Sequence, residues 1–238
     1  MASTFNEMLD TVEEVFIHEK QFSSDVSHEL RTPITVILAQ SDYALQYSDT
    51  LEETKESLEV INRHAKRMTN LINQIMELSK LERQKEIEKE KINLSNIVLQ
   101  LLEDYKPLLE SKNLNLVYNV EKDLRIQGNK IMLERVFLNI LMNAVKFTKT
   151  NIEVSLIREG KTAVLKIRDN GIGISEENKK FIWERFFQVN DSRNKEENKG
   201  SGLGLSMVKK IVDLHSATID LESELEQGTC FTIKFNMQ

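Results

Sequence analysis

All eight glycines of this 238-residue chain lie between Gly128 and Gly228, and the first 106 residues hold a single proline, Pro33. Glycine supplies the positive-φ positions that tight turns use. A chain that withholds it for half its length therefore has few turns there. The distribution predicts a helical first half and a turn-rich second half.

Apolar spacing agrees. Phe5, Met8, Val12, Val15, Phe22 and Val26 recur three and four apart, interrupted by Glu19, which is the seam of a helix that pairs with another helix. From Leu51 to Glu82 a second stripe runs through Leu58, Ile61, Ala65, Met68, Leu71, Ile72, Ile75 and Leu78. Between the two, "QYSDTLEE" reads as the turn, with Asp49 or Thr50 capping the second helix. A lone hairpin cannot bury stripes on both helices, so a dimeric four-helix bundle is the expected completion. An intramolecular bundle is the alternative, but the second half offers no matching long amphipathic helices.

The charge run "LERQKEIEKEKI" (81–92) shows no apolar period and reads as a solvated linker. Beyond it the pattern alternates. "LSNIVLQLLEDYKPLLESK" is helical despite Pro107, "LNLVYNV" is a strand, and "NKIMLERVFLNILMNAVKFT" is a long helix. "NIEVSLIREGKTAVLKIRD" is a hairpin turning near Gly160, "GLSMVKKIVDLH" is a helix, and "ATIDLES" and "TCFTIKF" are strands. The expected fold class is α plus α/β, an antiparallel helical hairpin followed by an α/β sandwich with a mixed sheet packed on helices.

Composition narrows the function classes. A net charge of −6 argues against general nucleic-acid binding through phosphate neutralisation. One cysteine, Cys230, excludes an internal disulfide and any multi-cysteine metal site. No apolar run is long enough to span a bilayer.

Three features of the second half carry chemistry. Asn139 and Asn143 lie four apart on one helix face, followed by Lys146 and Phe147. An amide oxygen is a hard neutral ligand suited to Mg²⁺ that is held mainly by phosphates and water. "DNGIGIS" sets Asp169 at a strand end, where its carboxylate can accept from an exocyclic amine, with Gly171 and Gly173 behind it. "GSGLGLSMVKK" leads Gly200, Gly202, Leu203, Gly204 and Leu205 into a helix N-terminus, an anion site by geometry. It is neither a P-loop nor a dinucleotide fingerprint, because the spacings differ. The polar "NDSRNKEENK" before it could act as a lid.

The order of these boxes resembles the ATP-binding domain of the GHKL superfamily, over residues 93–238, and "WERFFQ", with Phe186 and Phe187, resembles the phenylalanine box of histidine kinases. "SHELRTP" around His28 is similar to the phosphoacceptor box of sensor histidine kinases. The resemblance implies the catalytic core of a two-component sensor histidine kinase. It implies ATP bound by Asn139, Asn143, Lys146, Phe147, Asp169, Gly171, Gly173, Gly200, Gly202, Leu203, Gly204 and Leu205, with Mg²⁺ on Asn143. His28 would be the phosphoacceptor, since neutral imidazole is a competent nucleophile near physiological pH. Glu29 would fix its tautomer and take its proton as general base. Thr32 would position water for dephosphorylating a regulator. Pro33, lacking N–H, would bend the helix beyond His28.

The same resemblance implies domains at 1–20 (a signalling helix ending a HAMP-like relay), 21–86 (the dimerisation and phosphotransfer hairpin), 87–92 (a linker) and 93–238. It implies a homodimer, a response-regulator receiver domain as partner, and the cytoplasmic part of a bacterial inner-membrane sensor whose membrane contact is only through an upstream region. Two positions depart from the family: Asn129 stands for an acid before the asparagine helix, and "HSAT" replaces a His-Gly-Gly turn. His215 would suit the helix dipole as a partial positive charge. His18 and His64 would be solvent-facing or seam residues, and Trp183 and Cys230 packing residues. The competing readings are another GHKL ATPase or serine kinase, and a nucleotide-binding dimeric scaffold without turnover.

Overall fold

The computed structural model describes residues 2–189 and 200–237, with side chains from Lys20 onward. The side chains of Phe5, Met8, Val12, Val15 and His18, and the lid expected at 190–199, lie outside the described residues. The chain divides into two compact units, Met1–Glu77 and Leu78–Gln238.

The first unit is the hairpin. Helix α1 (Ala2–Gln46) continues through Pro33, so the missing N–H there removes one bond without ending the helix. Helix α2 (Leu51–Arg83) begins at a capping box and runs on into the second unit. Thr50 Oγ1 accepts from the Glu53 amide at 3.2 Å, and Glu53 reaches back to accept from the amides of Asp49 and Thr50 at 3.0 and 3.3 Å. Thr50 is therefore the cap, and Asp49 is not.

The second unit has two layers. A five-stranded mixed sheet runs in the order β2 (Asn115–Val120), β4 (Asn151–Glu159), β5 (Thr162–Asp169), β7 (Gly228–Asn236), β6 (Thr218–Glu224). Only β2 and β4 pair in parallel; the other neighbours are antiparallel. Helices α3 (Leu94–Ser111), α4 (Lys130–Phe147) and α6 (Gly204–Leu214) cover the sheet, with α4 touching both of the others. A single-turn helix, α5 (Glu176–Lys179), follows the end of β5. Alternation along β4 puts Ile152, Val154 and Leu156 into the core, where Phe137, Ile140 and Leu141 of α4 are equally buried. Cys230 is buried, and Trp183 meets the Phe231 ring edge-on at 6.0 Å, so both are packing residues as expected.

The solvated linker expected over 81–92 is corrected. Leu81 is buried in the last turn of α2, and Glu90–Asn93 form a strand, β1, paired antiparallel with β3 (Arg125–Gly128). Ile92 is the inward residue of that strand, and one apolar side chain among charges is too little alternation to register in sequence.

Both departures from the family pattern find a local solution. Asn129 caps α4 by accepting from the Met132 amide at 3.2 Å, as the acid would have done. Ser216 takes the left-handed position after α6 at φ 55°, a conformation usually left to glycine. His215 itself departs from its expected role. Burial lowers its pKa, so the ring is held neutral and brings no charge to the helix end.

Candidate active site

Helix α4 organises the second unit's chemistry, because each glycine box lies against it. Its C-terminal end meets the first box. The Phe147 carbonyl accepts from the Ile172 amide at 3.3 Å. A Cβ on Gly171 would fall 2.1 Å from that same carbonyl oxygen, so only glycine allows the approach. Along the inner face, a Cβ on Gly204 would lie 3.2 Å from Asn139 Oδ1, and one on Gly200 would lie 3.5 Å from Lys146 Nζ. Asn139, Lys146, Phe147 and both glycine boxes are thus brought together, with Asn143 one turn beyond Asn139 and half-buried.

Asp169 ends β5 and is 7% exposed. Burial raises its pKa above the usual carboxylate value, while the backbone amides of Gly171 and Thr229 pull it back down. The Gly171 amide donates to Oδ1 at 2.8 Å. A carboxylate held this way in a largely dry setting keeps acceptor capacity for a ligand donor.

The second box enters α6 differently from the way the chain enters the other long helices here. Asn93 and Asn129 cap α3 and α4 with their own side chains, whereas α6 begins at Leu203 with no side-chain cap. Its first amides are left for an anion to satisfy. The loop ahead of it is tied to the phenylalanine box, as the Phe186 amide donates to the Gly202 carbonyl at 3.1 Å and Gln188 Nε2 to the Gly200 carbonyl at 2.9 Å. Leu203 is fully buried, so its side chain belongs to the core and only its backbone borders the site. Leu205 follows Gly204 into α6, and Gly173 is pressed against the end of β6 instead of α4: at φ 69°, a Cβ there would fall 1.9 Å from the Glu224 carbonyl oxygen.

Sequence reasoning missed three residues that shape this site. Thr229 supplies one of the amides on Asp169. Gly228 stands where a Cβ would fall 2.0 Å from the Asp169 carbonyl oxygen, at φ 95°. Asn170 Oδ1 accepts from Thr148 Oγ1 and from the amides of Thr150 and Asn151 at 2.9 to 3.0 Å, pinning the exit of α4 to the Asp169 turn. A glycine opening a strand after "ELEQ" was the available signal for Gly228; nothing local flags the other two.

In the hairpin unit, His28 is exposed on α1, open to an incoming group. Glu29 is half-buried, and no hydrogen bond joins it to the His28 ring. Thr32 Oγ1 leans on the His28 carbonyl at 3.5 Å, a long contact. His64 is half-buried with Nδ1 lacking a partner, which fits a seam position better than a solvent-facing one.

Residues 18–84 match the family model described as the His Kinase A (phospho-acceptor) domain, and residues 128–238 match that of the histidine kinase-, DNA gyrase B- and HSP90-like ATPase. The chain belongs to the histidine kinase family. Its relatives include the sensor histidine kinase YkoH of Bacillus subtilis, 31% identical across 100% of this chain and 52% of the relative. The histidine-protein kinase ArlS of Staphylococcus aureus is 32% identical over 99% of this chain and 52% of its own length. This histidine kinase chain therefore spans about half the length of those curated relatives. In fold it is similar to Acinetobacter baumannii AdeS (TM-score 0.69, 22% identity, covering 89% of this chain and 98% of that one). It is also similar to the histidine kinase ThkA in its complex with the response regulator TrrA (TM-score 0.75, 22% identity, 92% of this chain and 61% of that one). The mixed-sheet architecture expected from sequence is thus that of known histidine kinases.

Proposed function

We propose that this core transfers the γ-phosphoryl group of ATP to His28 and then passes it to an aspartate of a response-regulator receiver domain. The observation that carries the reading is the convergence of Asn139, Lys146, Asp169 and the uncapped start of α6 on one helix, in a chain that also carries an exposed His28. Asp169 accepts from the adenine amine, and the first amides of α6 with Lys146 hold phosphate oxygens. A fit for Mg²⁺ follows from the donor set. Among the described residues no cluster of three metal-binding side chains occurs, so the ion would be held by Asn143 together with phosphates and water. When bound, it neutralises charge on the transferred group.

The His28 nitrogen supplies the electron pair, a nitrogen–phosphorus bond forms, and the bond from the γ-phosphorus to the β-bridging oxygen breaks with release of ADP. The proton on the other ring nitrogen goes to Glu29, which must first turn towards the ring. Thr32 stands one turn away to position water for the reverse duty, dephosphorylation of the regulator. Domain limits at 1–20, 21–86 and 93–238 follow the same reading, except that β1 (Glu90–Asn93) joins the last of them in place of a linker over 87–92.

Homodimerisation is supported by the hairpin's surface. Leu51, Leu58, Ala65 and Ile72 recur every seven residues and are exposed, as are Ile34, Leu38 and Leu45 on α1. A seven-residue apolar repeat left open to solvent calls for a facing helix. We place the core on the cytoplasmic side of a bacterial inner-membrane sensor, by analogy with relatives named as sensors; no described helix is long and apolar enough to cross a membrane. The test of this reading is transfer. With ATP and Mg²⁺, label is expected on the chain and then, on adding a receiver domain, on that domain; EDTA added before ATP should abolish both. Label that reaches neither protein, or that forms fully in EDTA, contradicts the reading.

A further inference from the structure

We propose that His215 is a positioning residue for nucleotide binding, clamping the end of α6 to the start of α4 and so setting how Gly204 faces Asn139. The inference rests on the assignment of Asn139 and Gly204 to the nucleotide site.

The ring is 8% exposed and bonded at both nitrogens. Nδ1 lies 2.7 Å from the Ile211 carbonyl, one turn back on its own helix, so Nδ1 must carry the proton. Nε2 is then a bare acceptor, and it takes the Asn129 amide at 3.0 Å. Asn129 is the cap of α4, and its side chain is already engaged with the Met132 amide. The preceding residue makes room for the ring. A Cβ on Gly128 would fall 3.1 Å from His215 Cδ2 and 2.8 Å from Leu133 Cδ1.

The geometry gives this contact its consequence. Gly204 begins α6 against Asn139, and His215 ends it against Asn129. At 1.5 Å per residue the two contacts are about 15 Å apart on each helix. Two fixed points on an antiparallel pair prevent both sliding and rotation of one helix on the other. A shift released at the His215 end is transmitted to the glycine box as a rigid displacement, because helices bend little over three turns. Burial keeps the ring neutral, with the Lys89 charge acting in the same direction and the Ile211 carbonyl opposing. Neutrality is what the clamp requires, since a protonated Nε2 could not accept from Asn129.

The test compares three variants by titration with the fluorescent analogue trinitrophenyl-ATP, at a temperature where circular dichroism shows each to be folded. His215→Phe fills the volume without an acceptor and is expected to weaken binding about tenfold, the scale of a buried donor left unpaired. His215→Gln can present Oε1 near the Nε2 position and is expected to remain within about threefold of wild type, even where its melting temperature falls. His215→Asn caps α6 but cannot reach Asn129; it should bind as weakly as the Phe variant and replaces it should that variant not fold. Transfer from phosphorylated His28 to a receiver domain, which uses no ATP, should be unchanged in all three. Wild-type affinity in the Asn and Phe variants, or equal weakening in the Gln variant, overturns the inference alone. No binding by the wild type overturns the site assignment and the inference with it.

Discussion

Asp169→Asn is expected to weaken ATP binding by about two orders of magnitude. A hydrogen bond to a charged acceptor contributes about 1.5–3 kcal/mol, and each 1.4 kcal/mol is about tenfold in affinity. The substitution removes that acceptor strength. It also turns one oxygen into an amide donor that either confronts the adenine amine or abandons the Gly171 or Thr229 amide. The same residue imposes a pH dependence whose sign is fixed by its environment. Burial raises the folded pKa above the unfolded value of 3.8. The ionised form is the stronger acceptor for the adenine amine, so wild-type affinity should rise as pH rises through the folded value, and the variant should lack that rise.

Stability without nucleotide should run the other way. A raised folded pKa means the folded state holds the proton more tightly than the unfolded chain, so the contribution is fully present below 3.8 and is lost as pH rises through the folded value. Wild type should therefore lose stability relative to Asp169→Asn between acid and neutral pH, a difference that paired thermal melts read directly. A variant that keeps wild-type affinity would remove Asp169 from the site.

The two architectures were legible in the sequence because their signals are periodic. The stripe from Leu58 to Leu78 and the glycine-free first half specify a hairpin. The alternation of "NIEVSLI" specifies a strand whose inward residues are in fact Ile152, Val154 and Leu156. What stayed hidden has no period. Strand β1 is four residues with one buried apolar side chain, and its charges read as solvent-facing run. Within the proposed site, the residues assigned to the ligand by their type, such as Asp169 and Asn143, announce themselves through chemistry. Thr229 and Asn170 act through partners far along the chain, Thr229 on Asp169 and Asn170 on Thr148 to Asn151. No local pattern encodes such a pairing. His215 shows the same limit from the other side: its place at a helix end suggested a charge, but the tertiary contact with Asn129 calls for a neutral ring.

His28→Gln is the substitution with the largest expected effect. The transferred phosphoryl group needs a nitrogen lone pair that an amide does not offer, so no partial activity should remain. His28 is exposed, and among the described residues its side chain has no hydrogen-bond partner, so its replacement should leave the fold and nucleotide affinity unchanged. The variant thus separates chemistry from binding, as Asp169→Asn separates binding from the acceptor. The direct measurement is incubation of wild type and His28→Gln with Mg²⁺ and γ-labelled ATP, followed by acid and alkali treatment of the labelled protein. Acid-labile, alkali-stable label in the wild type and none in the variant is the expected result. Label that persists in His28→Gln, or that resists acid, would contradict phosphorylation of His28.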